Sequence, residues 1–152
     1  MPAITGKMSA FGALLKADAL AGDIAGTYRN VAFISAIKGP GLAVDTVDVT
    51  THDSTSNFEE VVATILRTGE ITLDIVYDPT EVTIKYVNGL LGKMAAKTLE
   101  GFKIYFNNNT TEASRSIWAF NAFITGFEPD MPADGALTAS LKLKISGAPT
   151  IV

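Results

Sequence analysis

The chain has no cysteine among its 152 residues. That absence removes disulfides, thiolate catalysis and Cys-ligated zinc or iron-sulfur clusters, and leaves packing and hydrogen bonds to hold the fold. Histidine is nearly absent too: His52 is the only one, so a multi-histidine metal centre is excluded and any histidine-based triad would have to use this residue. Charge is scarce, at 18% of residues against 47% hydrophobic, and this apolar balance points to surface buried beyond the chain's own core, most simply by self-association. Basic runs are missing, and 12 Lys and Arg stand against 16 Asp and Glu for a net charge of −4, which argues against a protein that grips nucleic acid by clustered phosphate contacts. No apolar stretch approaches the ~18 residues of a membrane span. The start, Met1-Pro2-Ala3-Ile4-Thr5-Gly6-Lys7, lacks the basic stretch and long apolar run of a signal peptide. A soluble protein made in the cytoplasm, without a membrane partner, is expected. Asn108 and Asn109 each head a formal glycosylation sequon, but without a secretion signal they read as a polar turn.

What the sequence does contain is alternation. Leu137, Ala139, Leu141, Leu143 and Ile145 alternate with Thr138, Ser140, Lys142 and Lys144, the mark of a strand with one face buried and one polar. The same period at Ile71, Leu73, Ile75 and Tyr77, and at Phe102, Ile104 and Phe106, predicts two more strands. From Ile117 to Phe127 both alternating sets are apolar, which predicts a strand covered on both faces. Two earlier strands, Tyr28 to Lys38 and Ala43 to Thr51, are expected on either side of a Gly39-Pro40-Gly41 turn. Ala10 to Lys16 fits neither period well and is read as a strand rather than a short helix.

Helical spacing occurs at Phe58, Val61, Val62, Ile65 and Leu66, which predicts a helix with one apolar face packed on a sheet. Ser56 would cap it, Glu59 would reach back to the cap, and Gly69 would stop it. Glu81 to Ala96 is ambiguous and is read as a short, imperfect helix interrupted by Gly89 and Gly92. The sum is a mainly β single domain over residues 1–152, an antiparallel β-sandwich or partly closed barrel with a flanking helix. Residues 1–26 would supply an N-terminal arm and the first strand.

Chemistry is sought and mostly not found. His52 and Asp53 are sequence neighbours, and neighbours in extended chain point to opposite faces, so a loop histidine is the better reading than a general base oriented by its carboxylate. Asp45, Asp48 and Asp53 lack the ligand spacing and glycine of a calcium loop. Gly89-Leu90-Leu91-Gly92-Lys93-Met94 lacks the first glycine and the Ser or Thr of a phosphate loop. Asn107 to Thr111 reads as a hairpin tip. Trp118, Phe120 and Phe123 could stack a base or sugar, but on a strand apolar on both sides they read as core or subunit contact. No catalytic residue, metal or cofactor is expected.

Three segments together carry a family resemblance. Gly39-Pro40-Gly41 leads into Asp45-Thr46-Val47-Asp48-Val49-Thr50-Thr51-His52-Asp53-Ser54. The capped helix is followed by Thr68-Gly69-Glu70, which opens a long strand closed at Asp78-Pro79. Phe127-Glu128-Pro129, Pro132 and Gly135 precede the alternating strand that ends at Ser146-Gly147-Ala148-Pro149. In this order and spacing they resemble the major tail tube protein family of long-tailed, siphovirus-type phages. The resemblance implies a non-catalytic virion protein, assembled in the host cytoplasm, whose hexameric rings stack into a tube for DNA. It also implies partners: other copies of itself, and tape-measure, tail terminator and tail-tip proteins. DNA would pass through a negatively charged lumen without specific binding. The chain stops just after Pro149, so the extra immunoglobulin-like C-terminal domain of some relatives is not expected. Assembly contacts implied by the match are Ala10, Phe11, Leu14 and Leu15 in the arm; Thr46, Asp48, Thr50 and Asp53 at the strand-helix junction; and Pro129, Asp130, Met131 and Asp134 in the late loop. The tube of a contractile tail or secretion machine is a rival in the same class, and a stand-alone β-sandwich binding module is a rival in another.

Overall fold

The computed structural model describes residues 12–22, 24–54 and 58–152. Among the described residues nine strands follow one another: β1 (Leu14–Asp18), β2 (Tyr28–Asn30), β3 (Ile34–Lys38), β4 (Leu42–Asp48), β5 (Val61–Thr68), β6 (Glu70–Val76), β7 (Glu100–Tyr105), β8 (Ile117–Asp130) and β9 (Thr138–Ile151), with one α-helix, α1 (Leu90–Ala96), between β6 and β7. Seven form one antiparallel sheet in the order β2-β1-β7-β8-β9-β6-β3, while β4 and β5 pair only with each other.

The sheet's two outer strands are consecutive in sequence. Only Val31 to Phe33 separates β2 on one edge from β3 on the other, so the sheet must curl until its edges approach. Backbone bonds at both ends of that crossing hold it, Val31 N–H to the Leu15 carbonyl and Phe33 carbonyl to Val76 N–H, each 2.9 Å. The curl is a partly closed barrel, because β2 and β3 do not pair. One face lines the interior: Leu15 and Ala17, Ile71, Leu73 and Ile75, Phe102 and Ile104, Phe120 and Ala122, and Leu141 and Leu143 are all buried. The period-two pattern read in β6, β7 and β9 therefore serves one core. Phe102 stacks on Phe120 with centroids 5.9 Å apart, and Tyr77 meets Phe127 edge-on at 5.1 Å.

The mouth of the curl is closed by the turns after β6 and by α1, which bury Ile84 and Leu90. Gly92 is forced by packing, since a Cβ there would overlap the Tyr86 carbonyl oxygen. The helix expected over Glu81 to Ala96 is shorter than the sequence suggests: the stretch before Gly89 is a run of turns, Gly89 is the N-cap, and only Leu90–Ala96 is helical, ended by Lys97 in the left-handed region at φ 56°.

Several expectations are overturned. The single strand expected over Tyr28 to Lys38 is two strands on opposite edges of the sheet, because residues 31–33 carry the chain from one edge to the other, and Gly39-Pro40-Gly41 joins β3 to β4 as a bend and not as a turn between paired strands. The helix expected over Phe58–Leu66 is absent, and strand β5 occupies Val61–Thr68; the proposed cap Ser56 lies outside the described residues. Val61, Val62, Thr64, Ile65 and Thr68 are β-branched, with χ1 stiffness that favours extended backbone, and β4 pairs with them from Leu42↔Thr68 to Asp48↔Val61. Because both alternating sets of β5 contain apolar residues, helical spacing occurs in it without a helix. Strand β8 is not covered on both faces: Phe120, Ala122 and Ile124 are buried, but Phe123 is 38% exposed and Asn121 and Thr125 are open.

Candidate assembly interface

Strands β3 and β4 run on from one another, as do β5 and β6, so Ile34–Asp48 and Val61–Val76 form one long hairpin bent near its middle. The bend falls at Gly39-Pro40-Gly41 and Gly69, where Gly69 N–H bonds the Gly41 carbonyl at 2.9 Å. The two chains touch so closely that a Cβ on Gly69 would lie 2.8 Å from that oxygen. Below the bend the hairpin belongs to the sheet; above it, β4–β5 leaves as a two-stranded ribbon.

The ribbon exposes apolar side chains on both faces. Cross-strand partners share a face, so Val44 with Leu66 and Val47 with Val62 form apolar pairs. Their exposures are 50% and 65%, and 52% each. Ile65 at 58% and Val61 at 52% add to them, and Phe58 at 73% lies just before β5. A two-stranded hairpin is marginal in water by itself, and a surface this apolar marks a protein contact.

Polar residues brace the ribbon instead of forming a reactive site. Arg67 Nε is 2.5 Å from Asp45 Oδ2, and the Thr64 hydroxyl donates to the Asp45 carbonyl at 3.1 Å. Asp48 accepts the Thr50 N–H at 2.8 Å, and hydrogen bonding by the Thr50 side chain, with this backbone bond second, holds its carboxyl below the usual carboxylate range. The Thr50 hydroxyl accepts the Glu60 N–H at 2.8 Å, tying the two strands beyond their last pair. His52 and Asp53 are exposed in the loop that follows. No three Asp, Glu or His among the described residues come together to hold a metal ion. Near α1, Gly89 and Gly92 face their own chain's carbonyls, so that segment is a packed turn. No helix among the described residues is long and apolar enough to cross a membrane.

The residues expected at assembly contacts fall in separate places. Thr46, Asp48, Thr50 and Asp53 gather along the ribbon and its loop, so their junction joins two strands and not a strand and a helix. Pro129 and Asp130 end β8, and Met131, 73% exposed, and Asp134 follow in the β8–β9 connection. This loop lies at the opposite end of β6 from the ribbon, because Val76 pairs with Thr138 and Glu70 with Lys144. Leu14 is half-buried opposite Tyr105, whereas Leu15 is 1% exposed and belongs to the core, with no surface to give a neighbour. Ala10 and Phe11 lie outside the described residues. Sequence reasoning missed the exposed apolar ribbon: Val62, Ile65 and Leu66 were assigned to the packed face of a helix, and Val44 and Val47 lie in a correctly expected strand whose exposure was not read. The available signal was the density of β-branched residues with both alternating sets apolar, the signature already recognised in β8.

Residues 16–152 match the sequence profile of the family described as lambda phage tail tube protein, TTP. The chain belongs to the lambda phage tail tube protein family. Comparison with curated proteins gives no match. Among solved structures, the chain is similar to a protein in the tail of an empty gene transfer agent particle determined with C6 symmetry, with a TM-score of 0.75 and 18% identity over 96% of this chain and 99% of that one. A chain of the native gene transfer agent virion matches with a TM-score of 0.72 and 14% identity, over 96% and 99%. A chain of the sheath-tube complex of an extracellular contractile injection system matches at 0.67 and 14%, over 96% and 93%. At these identities the likeness shows a shared fold. The tail tube family thus accounts for a domain that keeps one apolar face for its core and holds out another, on the ribbon, uncovered.

Proposed function

We propose that the protein is the structural subunit of a phage tail tube, forming hexameric rings that stack into a hollow conduit for DNA. The observation that carries this reading is the β4–β5 ribbon, with half-exposed Val44, Val47, Val62, Ile65 and Leu66 and unpaired outer edges. Neighbouring copies cover those side chains and pair with the open edges, which in a free monomer are aggregation hazards. The contact is heterologous, one patch meeting a different patch, and such contacts build rings and stacks. Thr46, Asp48, Thr50 and Asp53 shape the ribbon that makes it. Residues 129–134, at the other end of the sheet, meet the next ring, and the N-terminal arm with Ala10, Phe11 and Leu14 adds to the ring contact. Membership of the tail tube family and the six-fold symmetry of a structural relative support the hexamer. Tape-measure, terminator and tail-tip proteins are its partners, the virion tail its location, and its action is mechanical, without catalysis.

Negative-stain electron microscopy of the purified protein at high concentration tests the reading. Hollow tubes or stacked rings of uniform width are expected. Monomers that persist with the terminator and tape-measure partners added would overturn it in favour of a monomeric binding module.

A further inference from the structure

The outward face of the curled sheet has two halves of different chemistry. Over β1, β2 and β7 the cations have partners within the subunit. Lys16 bonds Glu112 and lies 4.8 Å from the Tyr105 ring centre, and Lys103 lies 4.1 Å from that of Tyr28. Over β3, β6, β9 and β8 the charges stand free. Lys38, Thr72 and Lys142 form one cross-strand row, and Lys144 stands two residues along β9, opposite Glu70. Asp74, Ser140 and Glu128 form another row, with Asp130 opposite Thr138 beyond it. Among the described residues, none of Lys38, Lys142, Lys144, Asp74, Glu128 or Asp130 joins an ion pair, and all are exposed. Strand spacing of ~4.8 Å puts Lys38 and Lys142 about 10 Å apart, with Lys144 roughly 7 Å along β9. Two bands of opposite sign therefore cross this half-face, the basic one on the ribbon side.

Ring geometry decides which way the half-face looks. A ring closed through the ribbon is closed through β3 and β6, because the ribbon is their continuation. Strands β1, β2 and β7 and helix α1 lie on the core side of this half-sheet. A closed cylinder has no room inside for the bulk of every subunit, so the core side faces outward and the charged half-face inward. We propose that this half-face lines the lumen and that Lys38, Lys142 and Lys144 form a basic band that touches the phosphates of duplex DNA in transit. The proposal rests on the tube reading and revises the uniformly negative wall that the chain's net charge suggests. Glu70, Asp74, Glu128 and Asp130 oppose the three lysines, four charges against three for a balance of −1, so contact is weak and reversible. The acidic band pushes the duplex off the wall where the basic band lets it touch.

The test uses assembled tubes of the wild type, of K38Q/K142Q/K144Q and of D74N/E128Q, each confirmed by microscopy, mixed with a short fluorescent duplex and pelleted. Wild-type tubes are expected to retain duplex at about 50 mM salt and release it by about 200 mM. The lysine variant should retain roughly tenfold less with a flatter salt dependence, and the acidic variant more. Where the triple lysine variant does not assemble, K142Q alone should show a smaller loss in the same direction. Equal retention by wild-type and lysine-variant tubes overturns the proposal. So does equal retention of a duplex carrying a bead too wide for the lumen, or capture of an acidic polypeptide in preference to DNA. Failure of the wild-type protein to form tubes would instead count against the tube reading.

Discussion

The seven-stranded sheet and the two-stranded ribbon are made of the same continuous strands, yet they use apolar residues in opposite ways. In the sheet, β6 alternates buried Ile71, Leu73 and Ile75 with half-buried Thr72 and open Asp74, and the apolar residues of the inner face pack into one core. Across Gly69 the alternation disappears. Val61, Val62, Ile65 and Leu66 occupy both faces of β5, and none is buried. One segment is complete within a single chain and the other is not. Covering a half-exposed Val, Ile or Leu stabilises by roughly 1 kcal/mol, so several such side chains per ribbon are enough to favour association once its entropy cost is met.

Substitutions in the two regions should separate folding from assembly. Leu73→Ala removes a fully buried side chain from the middle of the sheet and is expected to cost ~2–5 kcal/mol through lost transfer energy and the cavity left behind. At roughly 2–4 °C per kcal/mol for a domain of this size, thermal unfolding followed by circular dichroism should shift by about 10 °C. A shift of only a degree or two would mean that the sheet is not the stabilising unit.

Ile65→Asp reverses that pattern. The monomer's stability should change by no more than about 0.5 kcal/mol, as for most surface positions, while sedimentation and microscopy should show loss of tubes. Equal damage to stability and assembly would make the ribbon part of the fold, and the contrast with the sheet would fail. Replacing residues 129–134 by a short Gly-Ser stretch should likewise leave a folded monomer, and here the expected defect is in stacking. Unchanged tubes would remove that loop from the interface.

The same contrast explains what was legible in the sequence. Strands β6, β7 and β9 could be read because each buries one face against a core supplied by the same chain, and alternation records that. The break in the strand at Gly39-Pro40-Gly41 was legible from local residue preferences, but it bends one running strand into the next instead of turning the chain back, and of the helix expected over Glu81 to Ala96 only Leu90–Ala96 forms. The β5 strand is misread because it buries neither face within its own chain. With apolar residues on both faces, any period could be fitted, and helical spacing was the one chosen. For β8 the two apolar sets were recognised, but the second cover is missing from the single chain, where Phe123 stays open. The strand count and alternation point to a sandwich or partly closed barrel, but the crossing at Val31–Phe33 that curls the sheet is a tertiary fact with no local pattern.

A smaller effect probes the ribbon's tip. Asp48 accepts hydrogen bonds from the Thr50 side chain and backbone, and these lower its pKa from the ordinary 3.8. A carboxyl with a depressed folded-state pKa contributes its stability above the unfolded value, and loses it as pH falls through the folded one. The ribbon's tip should therefore be indifferent to pH from neutrality down to about 4 and loosen only below 3.8. Backbone amide shifts of Thr50 and Glu60, followed by NMR during acid titration of the monomer, should move with a midpoint under that value. Asp48→Asn should abolish the transition while leaving the sheet's resonances in place. A midpoint at the ordinary value would mean that the Asp48–Thr50 bond does not brace the ribbon in solution, and that its strands reach a neighbouring copy without a fixed tip.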